Sequence, residues 1–155
     1  YLSEAMNVPA SDLQGIVVGG HGDTTMIPLT RLAIYQSSPV SNYLSAEKLA
    51  EVKAATMVGG ATLTGLIGTS AWYAPGAAGA ALTASIVRDQ KKVFPCSVYL
   101  EGEYGESDIC MGVPVVIGAN GWESIVDYQL NAEEAAEFAK SAAAVRAMNS
   151  VLDSL

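Results

Sequence analysis

From Ala54 to Val87 the sequence runs for 34 residues without a charged side chain. That is long enough for a bilayer span, which takes about 20 apolar residues in a helix. The contents of the run argue otherwise. Gly59, Gly60, Gly65, Gly68, Pro75, Gly76 and Gly79, with several Thr and Ser, cut it into short pieces. It therefore reads as a pair of uncharged helices that are either buried or turned towards another protein surface. Any fold for this chain has to provide cover for them.

At 155 residues the chain has the size of one ordinary domain, enough to bury a core without metal or disulfide staples. Eight basic residues stand against sixteen acidic ones, and the densest cationic group is Arg88, Lys91 and Lys92. A field of that sign excludes nucleic acid and anionic membrane as natural partners. The start shows no charged, apolar and cleavage regions of a secretion signal, so we expect a cytoplasmic protein. Cys96 and Cys110 flank an expected hairpin and could meet, but a single pair in such a chain is more often two reduced core thiols. Tyr1, Leu2, Ala5 and Met6 have the spacing of a helix face with no capping residue ahead of them. This reads as a helix entered midway, with a segment upstream of it.

Ile16 to Val18 should form a short buried strand ending in Gly19, Gly20, His21, Gly22 and Asp23, after a turn at Ser11 and Asp12. A second extended segment is expected from Ile27 to Tyr35. Ser45 can cap a helix that runs to about Gly59 and Gly60, continues or kinks there, and stops near Gly68. Another helix should start beyond Pro75 and end at the basic residues after Ile86. Val93 to Glu101 and Ser107 to Gly118 read as paired strands, the second alternating with Ile109, Met111, Val113, Val115 and Ile117 on one face. A third strand is expected from Glu123 to Leu130. Asn131 and Glu134 can form a capping box for a last helix, whose apolar stripe is Phe138, Ala142, Val145, Met148, Leu152 and Leu155. Strand pair, helical block, antiparallel meander and helix together make an α+β domain rather than an alternating parallel sheet.

Most motifs for chemistry fail on inspection. The glycines around His21 lack the third glycine and the following helix of a dinucleotide fingerprint, and Pro28 prevents that helix from opening. Gly60 to Gly65 has the glycine spacing of a phosphate loop, but Leu66 stands where its Lys should be. One His and two Cys give no metal-ligand spacing, and no nucleophile elbow is present. The acidic pairs Glu101 with Glu103 and Glu133 with Glu134 read as solvated turn or helix-start residues. His21 differs from all of these. It is the only imidazole, and it lies at a strand end between glycines where backbone can approach a ligand. Such a ring can take a proton from a hydroxyl and return it. A lone His is nonetheless more often structural, and Asp23 could either hold the ring or cap the turn.

The run Gly19 to Asp23, followed by Met26, Ile27, Pro28 and Leu29, resembles the active-site histidine motif of the lactate/malate dehydrogenases. The resemblance continues through Gly68 to Pro75, Ile86 to Asp89 with Lys91 to Val93, Tyr104 with Gly105, and Gly112 to Val115. It covers the whole chain and is to the carboxy-terminal, catalytic half of that family. The resemblance implies an α+β fold of antiparallel strands with packed helices, residues 1–155 forming a substrate domain, and a separate NAD-binding domain outside the sequence. It implies that His21 accepts the proton of the 2-hydroxyl of malate during hydride transfer to NAD, and returns it to oxaloacetate in reverse. Ser70 and Ala71 match positions facing substrate and nicotinamide, while Asp23 takes a structural role. The family's histidine partner and substrate arginines lie in segments the match does not reach, and Arg31, Arg88 and Arg146 do not match them. The isolated chain is therefore expected to be inactive. Malate is favoured over lactate because Gly20 stands where the lactate enzymes usually carry Glu. Another 2-hydroxy acid, or a non-catalytic scaffold or oligomerisation role, is the alternative. The family forms dimers and tetramers, so a homo-oligomer is implied, with no metal.

Overall fold

The computed structural model describes residues 1–154. Leu155, assigned above to the stripe of the last helix, lies outside the described residues. In chain order the elements are α1 (Leu2–Met6), β1 (Leu13–Gln14), β2 (Val17–Gly19), β3 (Met26–Pro28), β4 (Ile34–Tyr35), β5 (Ser38–Pro39), α2 (Ala46–Met57), α3 (Gly59–Ile67), α4 (Tyr73–Val87), β6 (Lys92–Glu101), β7 (Ser107–Gly118), β8 (Gly121–Ile125) and α5 (Ala132–Asn149). This is the expected α+β arrangement.

The alternation in β7 decides the architecture. Ile109, Met111, Val113, Val115 and Ile117 are all buried and, with Val98 and Leu100 of β6, form the floor of the core. β6 pairs antiparallel along nearly the whole of β7, from Lys92 opposite Ile117 to Glu101 opposite Ser107. β2 joins β7 at a single register, Gly19 opposite Gly112, and β8 pairs with it from Val115 to Gly118. With β3 on β2, these make a five-stranded antiparallel sheet, while β1, β4 and β5 form a separate small one.

α5 lays Phe138 and Ala142 on the core, and the Phe138 ring packs 5.3 Å from that of Tyr104. The expected capping box is present. Asn131 Oδ1 accepts the Glu134 N–H at 2.9 Å, and Glu134 Oε2 accepts the Asn131 N–H at 2.9 Å. α4 meets β7 through Leu82, Ile86 and the buried Ser85, whose hydroxyl donates to the Ile117 carbonyl at 2.9 Å.

Several expectations need correction. The third strand ends at Ile125 instead of Leu130, because the Tyr104 hydroxyl donates to the Val126 carbonyl at 2.7 Å and accepts the Tyr128 N–H at 3.0 Å, drawing that backbone out of the sheet. The segment from Ile27 to Tyr35 is broken by a 3-10 turn at Thr30–Leu32 between β3 and β4. As expected, by contrast, the helix capped by Ser45 breaks next to Gly59, at Val58, and Gly68 ends its second half in the left-handed conformation at φ 72°. α4 starts at Tyr73, two residues before Pro75, which the first turn tolerates because its N–H groups need no helical partner. The last helix ends at Asn149 and leaves the core before that: Met148 is 70% exposed, and Leu152, in the 3-10 segment Ser150–Ser154 that follows, 68%. The thiols are free, Cys110 is exposed rather than in the core, and the register sets it opposite Tyr99 and Cys96 opposite Val113.

The uncharged run settles one of its two readings. α3 has no buried residue, and in α4 only Ser85 is buried. Leu66 and Tyr73 are 80% and 85% exposed. The core does not provide their cover. No helix among the described residues is long and apolar enough to cross a membrane.

Candidate functional site

His21 stands on the loop between β2 and β3, and the loop's shape follows from glycines in a crowded place. Gly19 is buried with φ 97°, and a Cβ there would run into the Thr25 carbonyl oxygen. A Cβ on Gly112, across the sheet, would lie 2.6 Å from the Gly19 carbonyl oxygen. One on Gly20 would lie 2.9 Å from Val145 Cγ2. From sequence alone the glycines make room for a ligand. In the structure they make room for the protein's own β7, α5 and Thr25.

Beyond His21 the chain turns back on itself. The Gly22 carbonyl accepts the N–H groups of Thr25 at 3.1 Å and Met26 at 3.0 Å, which feeds β3 into register with β2. On the helix side the Ser141 hydroxyl accepts the Gly20 N–H at 2.9 Å and donates to the Thr25 carbonyl at 2.7 Å. Ser141 was not among the residues singled out from sequence, since a Ser within a helix carries no local signal of a contact 121 residues away. The imidazole itself is exposed. It opens into a cleft of about 630 Å³ whose walls include Met26, Met57, Gly60, Val145 and Met148.

Asp23 also lines this cleft, but it is exposed, and among the described residues no hydrogen bond ties its carboxylate to the ring or the turn. Backbone closes the turn instead. Ser70 and Ala71 lie in the corner between α3 and α4, the first exposed and the second half-exposed, and neither lines the cleft. Among the described residues no Lys or Arg lines it either. A dinucleotide's phosphates therefore find no cationic side chain there. Among the described residues no three His, Cys, Asp or Glu gather into a group that could hold a metal ion.

Two arginines are committed to the framework. Arg31, just after β3, reaches Glu134 at the start of α5 through Nε to Oε1 at 3.0 Å and Nη2 to Oε2 at 2.8 Å, and also donates to the Gln129 carbonyl. Glu134 is buried rather than solvated as expected, and the Arg31 hydrogen bonds hold its carboxyl below the usual range against the opposing effect of burial. Arg146 donates to Glu106 at 2.8 Å and to the Ser107 carbonyl at 2.7 Å. What the geometry offers chemically is one solvent-facing imidazole on a rigidly tied loop, at the edge of a largely apolar cleft.

The family model for the lactate/malate dehydrogenase alpha/beta C-terminal domain matches residues 1–151. The malate dehydrogenase of Bacteroides thetaiotaomicron is 66% identical over 152 residues, 98% of this chain and 49% of its own length. That of Flavobacterium frigidimaris is 63% identical over 155 residues, 100% and 50% respectively. Among solved structures, the malate dehydrogenase of Salinibacter ruber matches with TM-score 0.94 and 40% identity, over 99% of this chain and 50% of that one. The lactate dehydrogenase of Eimeria maxima, solved with NADH and oxamate, matches with TM-score 0.93 and 31% identity over 99% and 49%. The chain spans about half the length of the curated relatives it matches.

Proposed function

Because the chain belongs to the lactate/malate dehydrogenase family, as its carboxy-terminal domain, we propose that it is the substrate domain of an NAD-dependent enzyme interconverting malate and oxaloacetate. The observation that carries this reading is the placement of His21, the chain's only imidazole, on a loop held from both sides and open to the cleft. Neutral His21 accepts the proton of the substrate's 2-hydroxyl; as imidazolium it returns that proton and polarises the carbonyl in the reverse direction. NAD, when bound, supplies the hydride acceptor.

The rest of the reaction belongs to a longer protein. The substrate carboxylates need cations, and among the described residues the cleft has none, so these and the dinucleotide site are assigned to a further domain outside residues 1–155. Ser70 and Ala71 are proposed to contact substrate and nicotinamide; their support is the matching motif and their accessibility at the corner between α3 and α4. The exposed uncharged faces of α3 and α4 support a homo-oligomer, a dimer or a tetramer, in which they are covered. Malate is preferred to lactate on the relatives' names and identities, and on Gly20 in place of Glu.

The test is turnover by the full-length protein with NAD and either malate or lactate. The reading expects kcat/KM for malate to exceed that for lactate by about a hundredfold or more, the discrimination available to a site that pairs a second carboxylate. Equal or faster use of lactate would overturn it.

A further inference from the structure

We infer that Ser141 is a positioning residue for proton transfer: among the described residues its hydroxyl is the one side-chain hydrogen-bonding group of α5 that ties both flanks of the His21 loop. The inference rests on the role proposed for His21. It starts from the chemistry of a hydroxyl in a helix. Thr56, Thr62 and Thr83 each donate to the carbonyl four residues back, the local bond such side chains commonly make. Ser141 does not. It is 3% exposed, on the face that carries Phe138, Ala142 and Val145 into the core, where an apolar residue would be the ordinary choice.

Its Oγ instead accepts the Gly20 N–H at 2.9 Å and donates its single proton to the Thr25 carbonyl at 2.7 Å. The first partner immediately precedes His21, and the second closes the turn that follows it. One hydroxyl thus spans the mouth of the loop and uses both its donor and an acceptor position. The opposite side of the loop is fixed by close passage of the Gly19 carbonyl over Gly112. Between β7 on one side and Ser141 on the other, the Gly20 peptide has one position, and that peptide sets where the His21 Cα leaves the sheet. Removing the hydroxyl leaves an N–H and a carbonyl without their partner in a half-buried place and frees the loop on the α5 side only.

A structural role alone would lower stability, with activity following the folded fraction. A positioning role lowers kcat in protein that remains folded, since misplacement of a proton acceptor by about 1 Å is worth on the order of a hundredfold in rate. The experiment compares Ser141→Ala, Ser141→Thr and His21→Asn with the unmutated full-length protein, well below their unfolding midpoints. Ser141→Ala is expected to lose tenfold or more in kcat with KM changed less than about threefold, and Ser141→Thr, which restores the hydroxyl, to recover most of that loss. Amide hydrogen exchange at Gly20 provides a readout independent of catalysis: slow in the unmutated protein and at least tenfold faster in Ser141→Ala. A kcat for Ser141→Ala within twofold of the unmutated protein overturns the inference. So does fast exchange at Gly20 in the unmutated protein, which applies even if the alanine variant fails to fold. Undiminished turnover by His21→Asn sinks the role of His21 instead, and the Gly20 exchange then still reports on the tie itself.

Discussion

Consider Gly112→Ala, a change at the one point where β2 meets β7. The new Cβ would lie 2.6 Å from the Gly19 carbonyl oxygen, about 0.8 Å short of the 3.4 Å at which such contacts become ordinary. Gly19 has little room to retreat, because the Thr25 carbonyl, Ser141 Oγ and Ile27 crowd its other side. The methyl group therefore forces apart the crossing on which the His21 loop stands. Overpacking of this kind costs about 1–3 kcal/mol. For a domain of this size that lowers the thermal midpoint by roughly 2–12 °C. The effect on rate is larger, since a shift near 1 Å in the proton acceptor is worth about a hundredfold. Thermal unfolding and steady-state turnover of malate with NAD, both on the full-length protein, give the two numbers. Gly15→Ala is the control. A Cβ there meets no heavy atom within 4 Å, so it should stabilise by about 0.4–1 kcal/mol through the unfolded chain and leave turnover alone. If Gly112→Ala behaves like Gly15→Ala, the close crossing does not position the loop and the reasoning fails.

Other consequences can be measured separately. Arg31 holds the Glu134 carboxyl below its usual range, so the folded state takes up that proton less readily than the unfolded chain. The resulting stability is complete above the unfolded carboxylate value of about 4.3 and is lost as pH falls through the lower folded value. Glu134→Gln should therefore lower the thermal midpoint at neutral pH by an amount that shrinks in strong acid; a difference that stays constant down to about pH 2 contradicts this. Burial pushes the Cys96 thiol up while Cys110 is exposed, so a thiol reagent should modify Cys110 about tenfold faster, as read by peptide mass. Equal rates would contradict the burial assigned to Cys96. Tyr104→Phe removes the hydroxyl that serves Val126 and Tyr128, and a loss of about 1–3 kcal/mol in denaturant unfolding is expected, with no loss showing that solvent replaces both bonds.

What the sequence conveyed well were features that repeat or that close locally. The period-2 pattern of β7 placed Ser107 and Gly118 as its ends, and the capping box at Asn131 and Glu134 marked the start of α5. Chain direction past Ile125 was not legible, because Val126 and Tyr128 answer to a tyrosine 22 and 24 residues away. The stripe of α5 was sound at Phe138 and Ala142 but misleading at Met148 and Leu152, since helical spacing says which face is apolar and not how far the core extends beneath it. For the site, His21 was legible as the sole imidazole between glycines. The pressure on those glycines comes from Gly112, Val145 and Ser141, all remote in sequence. Glu134 looked like a helix-start acid and is one, yet its partner Arg31 lies 103 residues earlier, and only the packing of α5 beside the end of β3 brings them together.

The most direct test of the account is the pre-steady-state and steady-state behaviour of His21→Asn in the full-length protein. If the imidazole moves the proton, turnover of malate falls by about a hundred- to ten-thousandfold while NAD binds as before. Turnover within a few-fold of the unmutated protein would show that the proton travels by another route, and would contradict the role assigned to His21.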